Sequence, residues 1–82
     1  MVQREQYERL KQHLRADGRL RIDMTIREVE RIVGDELPYS AHHYPAWWGR
    51  DPKHTQAVWL DAGYTAHPDL VMKLVTFTRD AL

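Results

Sequence analysis

The densest run of chemically capable side chains lies between positions 39 and 56: Tyr39, His42, His43, Tyr44, Trp47, Trp48, Arg50, Lys53, His54 and Gln56. Cationic groups neutralise phosphate, amides read base edges and aromatic rings stack on unpaired bases, so this mixture suits a nucleic-acid surface. The binding set expected on that reading is Arg50, Lys53, His54 and Gln56, with Arg19 and Arg21 adding backbone contacts. The same stretch also reads as a protein contact built on Tyr39, His42, His43, Tyr44 and Trp47, with Leu74 exposed nearby, because aromatic rings are favoured anchors at such surfaces. Tryptophan also fills small cores. Trp59 and at least one ring of the Trp47-Trp48 pair are therefore expected inside.

Metal and catalytic chemistry have weaker support. The five histidines are His13, His42, His43, His54 and His67, and none is spaced to set two imidazoles on one helix face. His42 and His43 are adjacent, so their side chains diverge by about 100° on a helix or about 180° on a strand. A composite metal site would have to join them to Asp51 and His54. Ser40, His43 and Asp51 are hydrolase residue types, but they stand in nothing like a nucleophile elbow. The four glycines sit at element ends and form no phosphate-cradling loop. No catalytic residue, metal or cofactor is expected.

Composition limits the partner. Twelve basic side chains balance twelve acidic ones, unlike the basic excess of a strong non-specific nucleic-acid binder. The balance is uneven along the chain. Arg4, Arg9, Lys11, Arg15, Arg19 and Arg21 outnumber Glu5, Glu8 and Asp17 in the first quarter, and the remainder is acidic. This is either a solvated helix face or a patch for phosphate. The absence of cysteine fits a reducing, cytoplasmic compartment. There is no leader-like apolar stretch near the start, and no apolar run approaches the roughly 20 residues of a membrane span.

The elements that must position these residues are mostly marked by caps and periodicity. Residues 3–16 read as a helix with Tyr7, Leu10 and Leu14 on one face, ended by Gly18. Leu20, Ile22 and Met24 alternate with charged residues as a half-buried strand. Thr25 and Glu28 form a capping box, with Met24 and Val29 as its apolar staple. Ile26, Val29, Ile32 and Val33 then give a buried stripe closed by Gly34. Ser40 is placed to cap one short turn, and Pro45 breaks anything longer. Asp51-Pro52 predicts a helix over residues 52–62 that would present Lys53, His54 and Gln56. Residues 64–67 and 73–79 read as strands, turned at Pro68-Asp69, with a bulge or late strand start within residues 70–75.

One α+β domain over residues 1–82 follows, with three or four helices and a small three-stranded antiparallel sheet. The element order is winged-helix-like, an order in which the helix before the last hairpin usually enters the major groove. The gap over residues 34–51 is much longer than a standard helix-turn-helix turn.

Glu28-Val29-Glu30 through Gly34, then Leu37-Pro38-Tyr39-Ser40-Ala41, Trp47-Trp48, Trp59, Ala62-Gly63 and Val75-Thr76-Phe77-Thr78-Arg79 resemble an uncharacterised bacterial family of small domains. The likeness covers about residues 25–79. The resemblance implies one compact domain, free-standing or appended, found beside nucleic-acid-processing proteins in some bacteria. That family commonly has asparagine where this chain has Arg50, so any contact made by the asparagine amide is changed here. The first functional expectation is a small nucleic-acid-binding regulatory or accessory domain, with DNA as the expected target. The second is a protein-interaction module: a small inhibitor, an antitoxin-like regulator or a homodimer subunit.

Overall fold

The computed structural model describes residues 2–51 and 53–80. Helix α1, Arg4–Asp17, buries Tyr7, Leu10 and Leu14 along one stripe and ends at Gly18, whose φ of 70° lets its N–H return to the Leu14 carbonyl. Strand β1, Arg21–Thr25, turns Ile22 and Met24 inward and Arg21 and Asp23 outward. Thr25 closes the strand and caps α2, Ile26–Val33: its Oγ1 accepts from the Glu28 N–H at 3.0 Å, and the Glu28 carboxylate accepts from the Thr25 N–H at 3.2 Å. Ile26, Val29 and Val33 are buried, whereas Ile32 is half-buried. Gly34, at φ 85°, ends α2, and a Cβ there would stand 2.5 Å from the Arg9 guanidinium. Gln6 and Arg9 of α1 both donate to the Val33 carbonyl, so α1 satisfies part of the α2 C-terminus as it packs on it.

The following segment has little regular structure. Helix α3, Tyr39–His43, starts from Pro38 as N-cap, a residue or two before the turn expected from Ser40. Pro45 ends that direction and opens a 3₁₀ turn, Pro45–Trp48, occupying the first-turn position where its missing N–H costs nothing. The helix predicted over residues 52–62 is largely absent: α4 is the single turn Val58–Asp61, and the Pro52 part of that expectation lies outside the described residues. The Asp51 carboxylate accepts from the Lys53 N–H at 2.9 Å, as an N-cap would, yet residues 53–56 form turns and no helix. One cause is visible. Ala57, Val58 and Trp59 are buried consecutively, which a surface helix with one apolar stripe cannot provide.

Strands β2, Thr65–Asp69, and β3, Leu74–Thr78, complete an antiparallel sheet in the order β1-β3-β2. Pro68 and Asp69 belong to β2, so the reversal is not where it was expected. It falls at residues 70–73, where the Asp69 carboxylate accepts from the Met72 N–H and Lys73 adopts a left-handed φ of 59°. The late start of β3 holds. On one face, Ile22 and Ala66 flank Phe77, and Met24 and Pro68 flank Val75, against the helices. On the other face are the rows Arg21-Thr78-Thr65, Asp23-Thr76-His67 and Thr25-Leu74-Asp69. The overall α+β architecture and its helix, strand, helix, helix, strand, strand order agree with the expectation.

Pro68 sits at an outer strand without weakening the sheet. The Arg79 N–H donates to Leu20 and the Ile26 N–H to Lys73, so positions 20, 22, 24 and 26 carry the bonds between β1 and β3. Alternation then turns Leu74, Thr76 and Thr78 toward β2, where they face Asp69, His67 and Thr65. Pro68 lies between bonded positions, and its missing N–H faces outward.

The core joins both halves. Trp48, Trp59, Tyr64 and Phe77 are fully or almost fully buried. The Trp48 and Trp59 rings stack with centroids 5.5 Å apart, and each lies within 6.5 Å of Phe77. The Trp48 indole N–H donates to the Ala41 carbonyl at 2.9 Å. The Tyr64 hydroxyl donates to the Arg19 carbonyl at 2.6 Å and ties the start of β1 to the start of the hairpin.

The reciprocal cap at Thr25 is the joint between strand and helix. Thr25→Ala should lower unfolding stability by about 1 kcal/mol and the melting temperature by about 4–8 °C, read by circular dichroism. An unchanged melting temperature would show that the cap carries no stability.

Candidate functional site

The six residues expected to touch nucleic acid do not form one strip. Arg19 makes a paired contact with Asp17, at 2.7 and 2.9 Å, and Arg21 lies 3.2 Å from Asp23 on the open sheet face. Both cations are thus matched by carboxylates two residues away. Gln56 is half-buried and donates its amide to the Trp47 carbonyl at 3.3 Å, so it faces its own chain. His54 is exposed, 3.8 Å from Asp51. Arg50 and Lys53 are exposed, with no ion pair among the described residues. Arg50 borders a polar hollow of about 240 Å³ with His67 and Arg79, while Lys53 borders a different recess beside Arg4 and Glu8. The helix meant to display Lys53, His54 and Gln56 together is missing, and the one turn that remains buries Val58 and Trp59.

The aromatic set is better assembled. On α3 the Tyr39 ring stacks on His43 with centroids 3.9 Å apart, and Tyr44 meets Tyr39 edge-on at 6.2 Å. Tyr39 and Tyr44 are 67% and 56% exposed. His42, on the same short helix, lies 3.2 Å from the Glu30 carboxylate, which also accepts from the Leu37 N–H. Trp47 does not join this group: it is half-buried against Tyr7, Trp48 and Trp59.

Sequence reading marked Leu74 as exposed but missed Val71 and Met72 beside it. Val71 and Met72, in the turn before β3, are 90% and 64% exposed, and Leu74 beyond them is 40% exposed. Their lack of apolar alternation was the available signal; it marks a turn and not a buried strand. An open groove of about 330 Å³ separates this turn from α3. Met72 and Lys73 border it on one side and His42 on another, with Ile26, Arg27 and Glu30 of α2 also lining it. The groove lining thus combines the apolar Ile26 and Met72 with the charged Arg27, Glu30 and Lys73 and with His42.

The residue types considered for metal or hydrolysis are used in other ways. His42 faces Glu30, His43 stacks on Tyr39, and Asp51 accepts from the Lys53 amide. Among the described residues, no group of three or more His, Asp or Glu side chains converges on a point. None of the described helices is long and apolar enough to cross a membrane.

These features define a small α+β domain with a solvent-facing aromatic and aliphatic surface. The chain belongs to the family described as Domain of unknown function (DUF7662), whose model matches residues 7–81. The match agrees with the likeness to an uncharacterised small-domain family and extends it back into α1. No curated protein and no solved structure matches the chain.

The Asp17–Arg19 contact has a measurable signature. The guanidinium hydrogen bonds hold the Asp17 carboxyl down from 3.8 to about 2. A folded-state value below the unfolded one means that the contact favours folding above pH 3.8 and that its contribution fades as pH falls through about 2. Arg19→Ala should return Asp17 toward its ordinary value in an NMR titration of side-chain carboxyl carbons. A value still near 2 would show that another group is responsible.

Proposed function

We propose that this domain is a protein-interaction module whose contact surface is formed by α3 and the β2–β3 turn across the groove between them. One observation carries the reading. Tyr39 and Tyr44 lie in and just after α3, and Val71, Met72 and Leu74 lie in the β2–β3 turn and at the start of β3, leaving Leu20 as the only other large exposed apolar side chain among the described residues. Exposed apolar surface gathered in one region marks a contact site, whereas scattered single residues do not. The groove also selects for charge. Glu30 is engaged by His42 and the Leu37 N–H, while Arg27 and Lys73 have no ion pair among the described residues. The partner segment therefore supplies an apolar anchor for Met72 and Val71 and a carboxylate for Arg27 or Lys73.

Cross-linking the tagged domain in its host and identifying the attached protein by mass spectrometry provides the partner for calorimetric titration. Val71→Glu with Met72→Glu should weaken binding by about tenfold or more, since anchor losses cost about 2 kcal/mol or more at such sites. Thr65→Ala, on the open sheet face, should leave it unchanged. A partner that binds the double variant as tightly as the unaltered domain places the contact elsewhere.

A second reading, nucleic-acid binding, is favoured by the free display of Arg50 and Lys53. It predicts salt-dependent binding of short duplex or single-stranded oligonucleotides, lost in Arg50→Glu with Lys53→Glu. Flat anisotropy curves at about 100 µM protein and low salt, where even non-specific binders respond, would remove it.

A further inference from the structure

The geometry points to self-association of this chain along the outer edge of β1, in an antiparallel register centred on Ile22, with Arg21 of each copy opposite Asp23 of the other. This inference concerns a different surface from the groove and does not rest on it.

The two outer strands of the sheet are not equivalent. Positions 20, 22, 24 and 26 bond to β3, so the N–H and C=O groups of Arg21, Asp23 and Thr25 face away from the sheet. The Thr25 N–H is already taken by Glu28. Arg21 and Asp23 therefore remain as the unpaired template of this edge. On β2 the corresponding outward positions are Ala66 and Pro68, and proline has no N–H to give. The β2 edge thus lacks a donor that the β1 edge keeps at Arg21 and Asp23.

Symmetry then limits the register. Two copies of one strand pair about a two-fold axis, and a bonded pair needs an outward residue on each strand. Centring on Arg21 or on Asp23 sets each of those charges opposite itself. Centring on Ile22 sets Arg21 opposite Asp23 twice, and directly opposed unlike charges stabilise a ladder where like charges destabilise it. Each such pair exchanges both backbone bonds. The side chains already share the open face, with Arg21 and Asp23 3.2 Å apart and Asp23 also accepting from Thr76 at 2.6 Å. Leu20 gives the edge an apolar contribution. It is 48% exposed, carries the parity of the inward-facing residues and falls opposite Met24 of the second copy. A contact this short is small beside the roughly 1,200 Å² of a stable interface, so the pair forms in a concentration-dependent way.

Sedimentation equilibrium from about 10 µM to about 1 mM tests this. The unaltered chain should shift from monomer toward dimer. Arg21→Asp alone and Asp23→Arg alone should each weaken association by about tenfold, because like charges then face each other at both contacts. An equimolar mixture of those two variants should dimerise again, since one supplies only carboxylates and the other only guanidiniums. Both positions are exposed, and circular dichroism checks that each variant folds. In the unaltered protein, amide exchange at Arg21 and Asp23 should slow as concentration rises, while exchange at Ala66 should not. Val71→Glu with Met72→Glu should leave the dimer intact, which separates this surface from the groove. A chain that stays monomeric throughout, a dimer indifferent to the charge changes, or a mixture no stronger than its components overturns the inference.

Discussion

The buried indole of Trp48 is the interaction on which the irregular middle of this chain most depends. Among the described residues between Gly34 and Val58, only two short turns are regular, and such backbone cannot satisfy itself or bury much surface. The Trp48 N–H donates to the Ala41 carbonyl while the Trp48 ring lies on Trp59 and near Phe77. That residue therefore fixes α3 from within and connects it to β3 in the same contact. With α3 fixed, Tyr39 and His43 face solvent as a stacked pair, because Ala41, on the opposite side of the same short helix, is fully buried. An 82-residue chain has a thin core, and here large aromatic rings provide the burial that longer helices would otherwise supply.

The ring cluster also shows which effect wins when packing and polarity compete. The Trp59 indole N–H is buried and has no acceptor among the described residues. Leaving such a donor unpaired costs about 1–3 kcal/mol. Removing a buried tryptophan side chain costs about 3–5 kcal/mol. The balance favours keeping the ring, and the chain tolerates one unmet donor at the centre of its largest contact.

Much of the first half was legible because its signals are local. Gly18, the Thr25–Glu28 box and Gly34 are read directly from residue type and spacing, and β1 from its alternation. The second half was less legible because its elements are set by contacts distant in sequence. Asp51-Pro52 resembles a helix start, yet the burial of Ala57, Val58 and Trp59 in succession overrides it. Pro68-Asp69 resembles a turn, but the chain stays paired through both residues because Pro68 needs no outward donor. Adjacent tryptophans offer no periodicity to show that Trp48 goes fully inside and Trp47 only halfway. Of the candidate surface, the tyrosine and histidine cluster was visible, and the Val71-Met72 tip was not. The pairing of Arg21 has a reason the sequence contains: residues two apart on a strand share a face, so Asp23 is placed to meet it.

The proline in β2 has an effect beyond its own strand. Sheets recruit neighbours through their borders, and a border open on both sides permits indefinite stacking into fibres. Here one border lacks a donor at the position where an incoming chain would seek it. If a second copy of this chain joined the opposite border, growth would halt there, because the newcomer would present the same blocked flank to solvent. Association through the open border would then stop at a finite particle, and a single ring nitrogen would set that limit.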